Sequence, residues 1–217
     1  MSTAEPIPVR TAYGEGRLTV RRARKRVATL LLSHGAGGGI EARDLAALAE
    51  NLPRHGISVA LFEQPWRVAG RRIATPPATL DAGLTAAADT LRNPGVLVLG
   101  GRSAGARSAA RCATALGAAG CLALAFPLHP PGQPEKTRIL ELRATRVPTL
   151  VIQGERDSMG RPEAFPADID LTVVPAADHG FKIPARGPVT QEEAMEIIVE
   201  STLEWLVREV IGNQDGE

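Results

Sequence analysis

One serine stands in a sequence pattern that could attack a carbonyl carbon. Ser103 is the centre of Gly101-Arg102-Ser103-Ala104-Gly105, which follows a short apolar run and precedes an Ala-rich one. A tight turn from strand to helix would hold this serine in a strained conformation, and side chains two positions to either side would collide with it. The N–H groups that begin the helix would face a developing negative charge. The pattern therefore predicts a nucleophile that cleaves an acyl bond.

Two further side chains, Asp157 and His179, could activate this serine. Asp157 comes shortly after the apolar residues 149–153, and His179 comes shortly after residues 171–174. Nucleophile, acid and histidine thus follow one another in the order that α/β-hydrolases use. The alternatives are a turn-forming or helix-capping role for Asp157 and a surface position for His179. Agreement among the three positions favours the catalytic roles.

The histidine and the acid have distinct roles in this hypothesis. His179 would take the hydroxyl proton of Ser103 and later give it to the leaving group, while Asp157 would hold the imidazole tautomer and stabilise its charged form. Asp178 is a rival for the acid, but it adjoins His179, and neighbours on a loop rarely face one another. We therefore prefer Asp157. Because a protonated His179 cannot accept a proton, we expect activity to fall on acidification through about pH 6 to 7.

A glycine-rich run, His34-Gly35-Ala36-Gly37-Gly38-Gly39, follows the apolar residues 27–32. Proteins with this order of catalytic residues build an oxyanion hole from the N–H after the nucleophile and an N–H of this loop. The candidates are the N–H groups of Ala104 and Ala36, and His34 is expected to brace the loop. A phosphate-binding loop is disfavoured, because the run has no Gly-Lys-Ser or Gly-Lys-Thr ending and no G-x-G-x-x-G spacing.

The elements that must position these residues alternate along the chain. Short runs that are apolar throughout predict buried strands over residues 27–32, 57–62, 96–99, 121–126, 149–153 and 171–174. Amphipathic runs predict helices over residues 43–54, 77–91, 104–116 and 191–211. The predicted fold is α/β, a mostly parallel, doubly wound sheet with helices on both faces. Active groups of such sheets gather at the carboxyl ends of the strands.

The beginning of the chain carries a weaker signal. Residues 17–20 are predicted as an antiparallel edge strand. The basic residues 21–26 are predicted as a solvated hairpin turn between this strand and the next, in preference to a binding patch.

Length and composition restrict the function classes. The 217 residues predict a single domain over residues 1–217, with its core over about residues 17–211. A net charge of +1 gives no case for a nucleic-acid partner, and the apolar runs are too short to cross a membrane. The start does not resemble a secretory signal, so a cytoplasmic protein with reduced Cys112 and Cys121 is expected. No metal or other cofactor is expected, since the histidines and cysteines lack ligand spacing.

Six segments resemble a known family. They are Ser33-His34-Gly35-Ala36-Gly37-Gly38, Ala69-Gly70-Arg71-Arg72, Gly100-Gly101-Arg102-Ser103-Ala104-Gly105, Phe126-Pro127-Leu128-His129-Pro130-Pro131-Gly132, Gln153-Gly154-Glu155-Arg156-Asp157 and Asp178-His179. The chain resembles small, lidless bacterial α/β-hydrolases related to dienelactone hydrolase. It is more closely similar to the α/β-hydrolase-like family whose animal members include a histone-acetyltransferase-complex subunit. The resemblance implies an α/β-hydrolase fold without a large lid domain and a hydrolase activity, although some relatives serve as scaffolds.

The rim of the predicted site must come from loops. Only about twenty residues separate the strand over 121–126 from the next, too few for a helical lid. The residues proposed to contact the substrate are Trp66, Arg71, Leu128, His129 and Phe181, of which Trp66, Leu128 and Phe181 would form apolar walls. The cations Arg67, Arg71, Arg72, Lys136 and Lys182 would suit an anionic substrate. Solvated loop cations are the favoured alternative.

Two function classes follow from these residues. The first is a serine hydrolase that cleaves a small-molecule carboxylic ester, thioester or lactone through an acyl-enzyme on Ser103. The second is a non-catalytic or repurposed α/β-hydrolase scaffold that acts as a binding module. A scaffold has no reason to keep Ser103, Asp157 and His179 together, so the first is favoured. Acyl transfer to an acceptor other than water and a homodimeric assembly are both compatible with the sequence.

Overall fold

A single eight-stranded sheet lies at the centre of the computed structural model, which describes residues 5–71 and 75–212. The strands are β1 (Ile7–Thr11), β2 (Gly14–Arg21), β3 (Ala28–Ser33), β4 (Ile57–Glu63), β5 (Val96–Arg102), β6 (Gly120–Leu124), β7 (Thr149–Gly154) and β8 (Asp170–Val174). Their spatial order is β1-β2-β4-β3-β5-β6-β7-β8. β1 pairs antiparallel with β2, and β2 pairs antiparallel with β4, whereas the strands from β4 to β8 run parallel.

Helices cover both faces of this sheet. The α-helices are α1 (Arg43–Asn51), α2 (Pro65–Val68), α3 (Pro77–Thr90), α4 (Ala104–Cys112), α5 (Ile139–Arg143) and α6 (Gln191–Trp205). α1 and α6 pack on one face, where Leu45 and Ile198 join a core cluster with Leu30 and Leu32. α3, α4 and α5 pack on the other, and Leu31 belongs to that second cluster. Side chains of β3 alternate between the faces, and because both faces are covered, most of its residues are apolar.

The predicted parallel strands and their helices are confirmed. The strand bounds differ from the predicted ones by at most three residues, and the shift is largest where β5 continues to Arg102. The helix predicted over residues 43–54 ends at Asn51 and continues as a 3-10 turn, Leu52–His55, that contains Pro53. Proline has no N–H for the α-helical hydrogen bond, which accounts for the change. The last predicted helix continues beyond α6 as a π-helical turn over Leu206–Ile211.

Two predictions about the beginning of the chain are wrong. Residues 17–20 lie in β2, but β2 is not an edge strand, because β1 pairs along its outer side. The basic residues 21–26 do not form a hairpin turn, since β2 pairs with β4 and the chain passes beyond β4 to reach β3. Of the five residues of β1, only Val9 is buried, which left little apolar pattern to indicate the strand. Pro8 fits an edge position, where a missing N–H costs no ladder hydrogen bond.

Candidate active site

Ser103 lies in the turn that joins β5 to α4. β5 ends at Arg102 and α4 begins at Ala104, so the serine alone makes the connection. Its φ is 54° and its ψ is −111°, a backbone conformation that non-glycine residues rarely adopt. The N–H of Ser103 donates to the carbonyl of Leu124 at 2.9 Å, which fixes the turn against the neighbouring strand. Strain of this kind persists only where the surrounding structure enforces it.

The two glycines of the motif let β3 approach this turn. A Cβ on Gly101 would lie 2.5 Å from the carbonyl oxygen of Ser33. A Cβ on Gly105 would lie closer still to that oxygen and within 2.6 Å of the Ser33 carbonyl carbon. Because the obstacles are backbone atoms, no side-chain rearrangement could relieve them. The two glycines thus have a steric role, but the atoms that exclude a side chain lie mainly in the backbone at the end of β3 rather than in Ser103, where the sequence predicts them.

Three side chains from different loops form one chain of hydrogen bonds. The imidazole Nε2 of His179 lies 2.9 Å from the Oγ of Ser103, and its Nδ1 lies 2.7 Å from the Oδ2 of Asp157. Ionised carboxylate oxygens only accept, so Nδ1 carries the imidazole proton and Nε2 is left to accept the hydroxyl proton of Ser103. Asp157 is fully buried, whereas a quarter of the His179 side chain is exposed.

Gln153 is a residue of this site that the sequence analysis missed. It is the last residue but one of β7, and its Nε2 donates to the Oδ2 of Asp157 at 2.8 Å and to the carbonyl of Gly160 at 2.8 Å. The N–H of Met159 donates to the other carboxylate oxygen of Asp157 at 2.8 Å. These bonds fix the carboxylate toward His179. A glutamine at the end of an otherwise apolar strand was the available signal.

Asp178, the rival candidate for the acid, has another task. Its Oδ1 accepts hydrogen bonds from the N–H groups of Gly180 at 2.7 Å and Lys182 at 2.9 Å. Asp178 therefore shapes the loop that carries His179, while the carboxylate against the imidazole is that of Asp157.

The loop after β3 passes directly beside the serine. A Cβ on Gly35 would lie 3.2 Å from the Cβ of Ser103, so the next residue, Ala36, is close to the turn. The first N–H groups of α4, beginning with Ala104, have no acceptor within the helix. Both candidates for an oxyanion hole thus lie near Ser103, and that role stays a prediction.

His34 is buried under the same loop. Its Nδ1 donates to the carbonyl of Gly35 at 2.8 Å, and its Nε2 accepts from the N–H of Gln64 at 3.0 Å. Burial lowers the pKa of His34, an effect that the Gly35 carbonyl opposes. A neutral ring with both nitrogens engaged fits the bracing role expected for it.

Comparison with known proteins gives the same fold as the structure. A family model described as an alpha/beta hydrolase domain matches residues 26–207. The chain belongs to the α/β hydrolase family.

Solved structures with the same fold include lidless enzymes. A serine hydrolase homologue from Coxiella burnetii is 18% identical, with a TM-score of 0.73 over 93% of this chain and 98% of that one. A serine hydrolase without a lid from Xanthomonas campestris is 20% identical, with a TM-score of 0.69 over 94% and 96%. A dienelactone hydrolase from Anabaena variabilis is 18% identical, with a TM-score of 0.71 over 94% and 97%. The resemblance to lidless α/β hydrolases is confirmed, and the link to the animal histone-acetyltransferase subunit stays a prediction.

The predicted apolar walls of this α/β hydrolase are largely buried. Trp66, in α2, is 4% exposed, and its ring packs edge-on against His34 with the centroids 5.4 Å apart. Phe181 is fully buried in the core, so it presents no surface to a substrate. Leu128 is 3% exposed. Half-buried His129 places its Nδ1 2.9 Å from the Pro130 carbonyl.

The predicted cationic rim is dispersed. Arg67 pairs with Glu41 at 3.2 Å, which compensates its charge. Arg71, Lys136 and Lys182 are exposed, and Arg72 lies outside the described residues. Solvated loop cations, the favoured alternative, fit these positions.

Within residues 5–71 and 75–212, no group of three His, Cys, Asp or Glu residues could hold a metal ion. Cys112 and Cys121 are free and buried, and burial raises the pKa of Cys112 to about 11 and of Cys121 to about 12. In the same described part, no helix is long and apolar enough to span a bilayer.

Proposed function

We propose that this α/β hydrolase cleaves a carboxylic ester, thioester or lactone of a small molecule through an acyl-enzyme on Ser103. The observation that carries the proposal is the unbroken chain of hydrogen bonds from the Oγ of Ser103 through His179 to Asp157. Membership of a hydrolase family supports hydrolysis in general. The geometry of these three side chains supports nucleophilic attack by Ser103 on an acyl carbon, the chemistry that esters, thioesters and lactones share.

In the first half of the reaction, the Oγ of Ser103 attacks the carbonyl carbon of the substrate. His179 takes the hydroxyl proton on Nε2, and the resulting imidazolium is stabilised by the buried carboxylate of Asp157. The carbonyl oxygen becomes an oxyanion, which the N–H groups of Ala36 and Ala104 would bind. The bond to the leaving group then breaks, and Nε2 gives its proton to the departing alcohol, thiol or ring oxygen.

In the second half, water replaces the leaving group. His179 takes one proton from the water as its oxygen attacks the acyl carbon, and the ester bond to Ser103 breaks as the proton passes to Oγ. The products are a carboxylic acid and the original enzyme. Half-buried Ser103 and partly exposed His179 are accessible enough for water to enter without a lid opening.

We also propose a small-molecule substrate and a cytoplasmic location, where thiols such as those of Cys112 and Cys121 stay reduced. We infer no nucleic-acid or membrane partner. The competing function is that of a non-catalytic α/β-hydrolase scaffold that acts only as a binding module.

The test is turnover of a matched panel of p-nitrophenyl esters, acyl thioesters and small lactones by the wild type and by Ser103→Ala. We expect the wild type to hydrolyse at least one class, and Ser103→Ala to lose about 10⁴-fold or more in kcat. Each class should be offered in a neutral and a carboxylate-bearing form, so that equal rates for both forms would end the anionic-substrate hypothesis. A folded wild type inactive on the whole panel would favour the binding module.

A further inference from the structure

Arg102, the residue before the nucleophile, makes a half-buried ion pair with Asp44. Its Nε lies 3.3 Å from the Oδ2 of Asp44, and 14% of the arginine side chain and none of the aspartate side chain are exposed. Asp44 belongs to the first turn of α1, directly after the glycine-rich loop. The pair therefore joins the end of β5 to the segment that follows β3.

The side chain of Asp44 is fully buried. No side chain that the structure describes donates a hydrogen bond of ordinary geometry to its carboxylate, which faces the guanidinium of Arg102 and the backbone N–H groups of Asp44 and Leu45. Burial raises the pKa of Asp44, and the guanidinium of Arg102 opposes this rise. A buried carboxylate with so few partners stabilises little by itself. Its presence is better explained by what it holds in place, which is Arg102.

The same guanidinium reaches the loop of the histidine. The Nη2 of Arg102 donates to the backbone carbonyl of His179 at 2.9 Å. A Cβ on Gly180 would lie 3.6 Å from Nη2, and a Cβ on Gly35 would lie 3.7 Å from Nη1. The guanidinium thus fills the space between the glycine-rich loop and the His179 loop, with a glycine on each side.

We propose that Arg102, held by Asp44, is a positioning residue that fixes the backbone of His179 relative to Ser103. The inference rests on the proposed function, because only a reacting serine needs its base held to this accuracy. Arg102 adjoins Ser103 in the chain, so its bond to the His179 carbonyl ties the base directly to the nucleophile's own turn. The loop between β8 and α6 has no regular secondary structure, and this bond adds a restraint from β5 to the hydrogen bonds that Asp178 makes within the loop.

The geometry requires arginine rather than lysine. Nε lies 3.3 Å from the Oδ2 of Asp44 as an ion pair without hydrogen-bond geometry, while Nη2, on another edge of the guanidinium, donates to the His179 carbonyl. A lysine ammonium is a single point and cannot hold both partners in this fixed geometry. Charge alone therefore does not preserve the restraint.

The test compares Arg102→Lys, Arg102→Gln and Asp44→Asn with Arg111→Gln as the control. Arg111 also forms a half-buried ion pair, with Asp81 at 2.7 Å, but on the α3–α4 side of the sheet. We expect kcat to fall about 10²-fold in both Arg102 variants and less in Asp44→Asn, with KM little changed. Arg111→Gln should keep the wild-type kcat.

A second readout separates this inference from the proposed function. The low-field proton resonance of the His179 Nδ1–H bonded to Asp157 should be sharp in the wild type and broadened or lost in Arg102→Gln and Arg102→Lys. Should the folded wild type prove inactive, the proposed function fails and this resonance alone decides the positioning. Folded Arg102 variants with wild-type kcat, or with an unchanged resonance in an inactive protein, would overturn the inference. If Arg102→Gln does not fold, Arg102→Lys and Asp44→Asn carry the same comparison.

Discussion

The imidazole Nε2 of His179 lies 2.9 Å from the Oγ of Ser103, although 76 positions separate the two residues in the chain. Each residue follows a strand of the same sheet, and parallel strands bring their carboxyl ends to one edge. The serine contributes a strained turn and the histidine an irregular loop, so their distance depends on everything that holds these two segments together.

The choice of acid can be tested with two matched variants. Asp157→Asn should lower kcat by about 10⁴-fold, because the amide favours the wrong imidazole tautomer and cannot stabilise the imidazolium. Asp178→Asn keeps an oxygen for the N–H groups of Gly180 and Lys182 and should retain most of the activity. Steady-state ester kinetics measures both variants. A larger loss of kcat in Asp178→Asn than in Asp157→Asn would show that Asp178, and not Asp157, is the acid.

Gly105 should tolerate no side chain. Because its Cβ would meet the backbone of Ser33, Gly105→Ala should lower the free energy of unfolding by about 1–3 kcal/mol or prevent folding. Gly37→Ala is the control, since a Cβ there meets nothing within 4 Å, and its effect should stay within about 0.5 kcal/mol. Urea unfolding curves measure both, and similar midpoints for the two variants would contradict the packing argument.

Acid should weaken the fold through His34. Burial lowers the pKa of His34 below its ordinary value of 6.5, so the unfolded chain binds a proton there more readily than the folded one. Its contribution to stability is therefore present above about pH 6.5 and is lost as the pH falls below it, by up to about 1.4 kcal/mol per pH unit. Urea unfolding at several pH values between 7.5 and 5.5 gives the free energy of unfolding as a function of pH, and this free energy should change less with pH in His34→Gln than in the wild type. His55→Gln, at an exposed position, should keep the pH dependence of the wild type. The same pH dependence in all three proteins would exclude His34 as the cause of the acid sensitivity.

The thiols should be inert in the folded protein. Burial raises the pKa of Cys112 to about 11 and of Cys121 to about 12, so at pH 8 both are protonated and shielded. A disulfide reagent such as dithionitrobenzoate should modify neither in buffer and both in urea. Rapid modification of either cysteine in buffer would show that its helix or strand opens readily.

The framework of the fold followed from local sequence patterns. The runs that became β3 and β5 are largely apolar, which suits strands covered on both faces, and Ser103 sits in a motif whose glycines can be recognised from the sequence alone. β1 escaped prediction because only Val9 is buried, and pairing with β2 rather than an apolar pattern defines it. Elements could be predicted where residues close together in the sequence determine them.

The supports of the site depend on contacts between distant residues. Nothing near Arg102 in the sequence indicates that Asp44 and the His179 carbonyl will meet its guanidinium. Likewise, an aromatic residue beside the histidine could face either rim or core, and Phe181 faces the core. Residue type and spacing predict which groups react, whereas the three-dimensional packing decides which groups hold them.

The most direct measurement is covalent labelling with a fluorophosphonate probe, followed by intact-mass and peptide mass spectrometry. We predict one adduct per wild-type chain on Ser103, no adduct on Ser103→Ala, and slowed labelling of His179→Ala, because the probe needs a serine oxygen activated by the imidazole. A folded wild type that stays unlabelled, or an adduct that persists in Ser103→Ala, would contradict the assignment of Ser103 as the nucleophile.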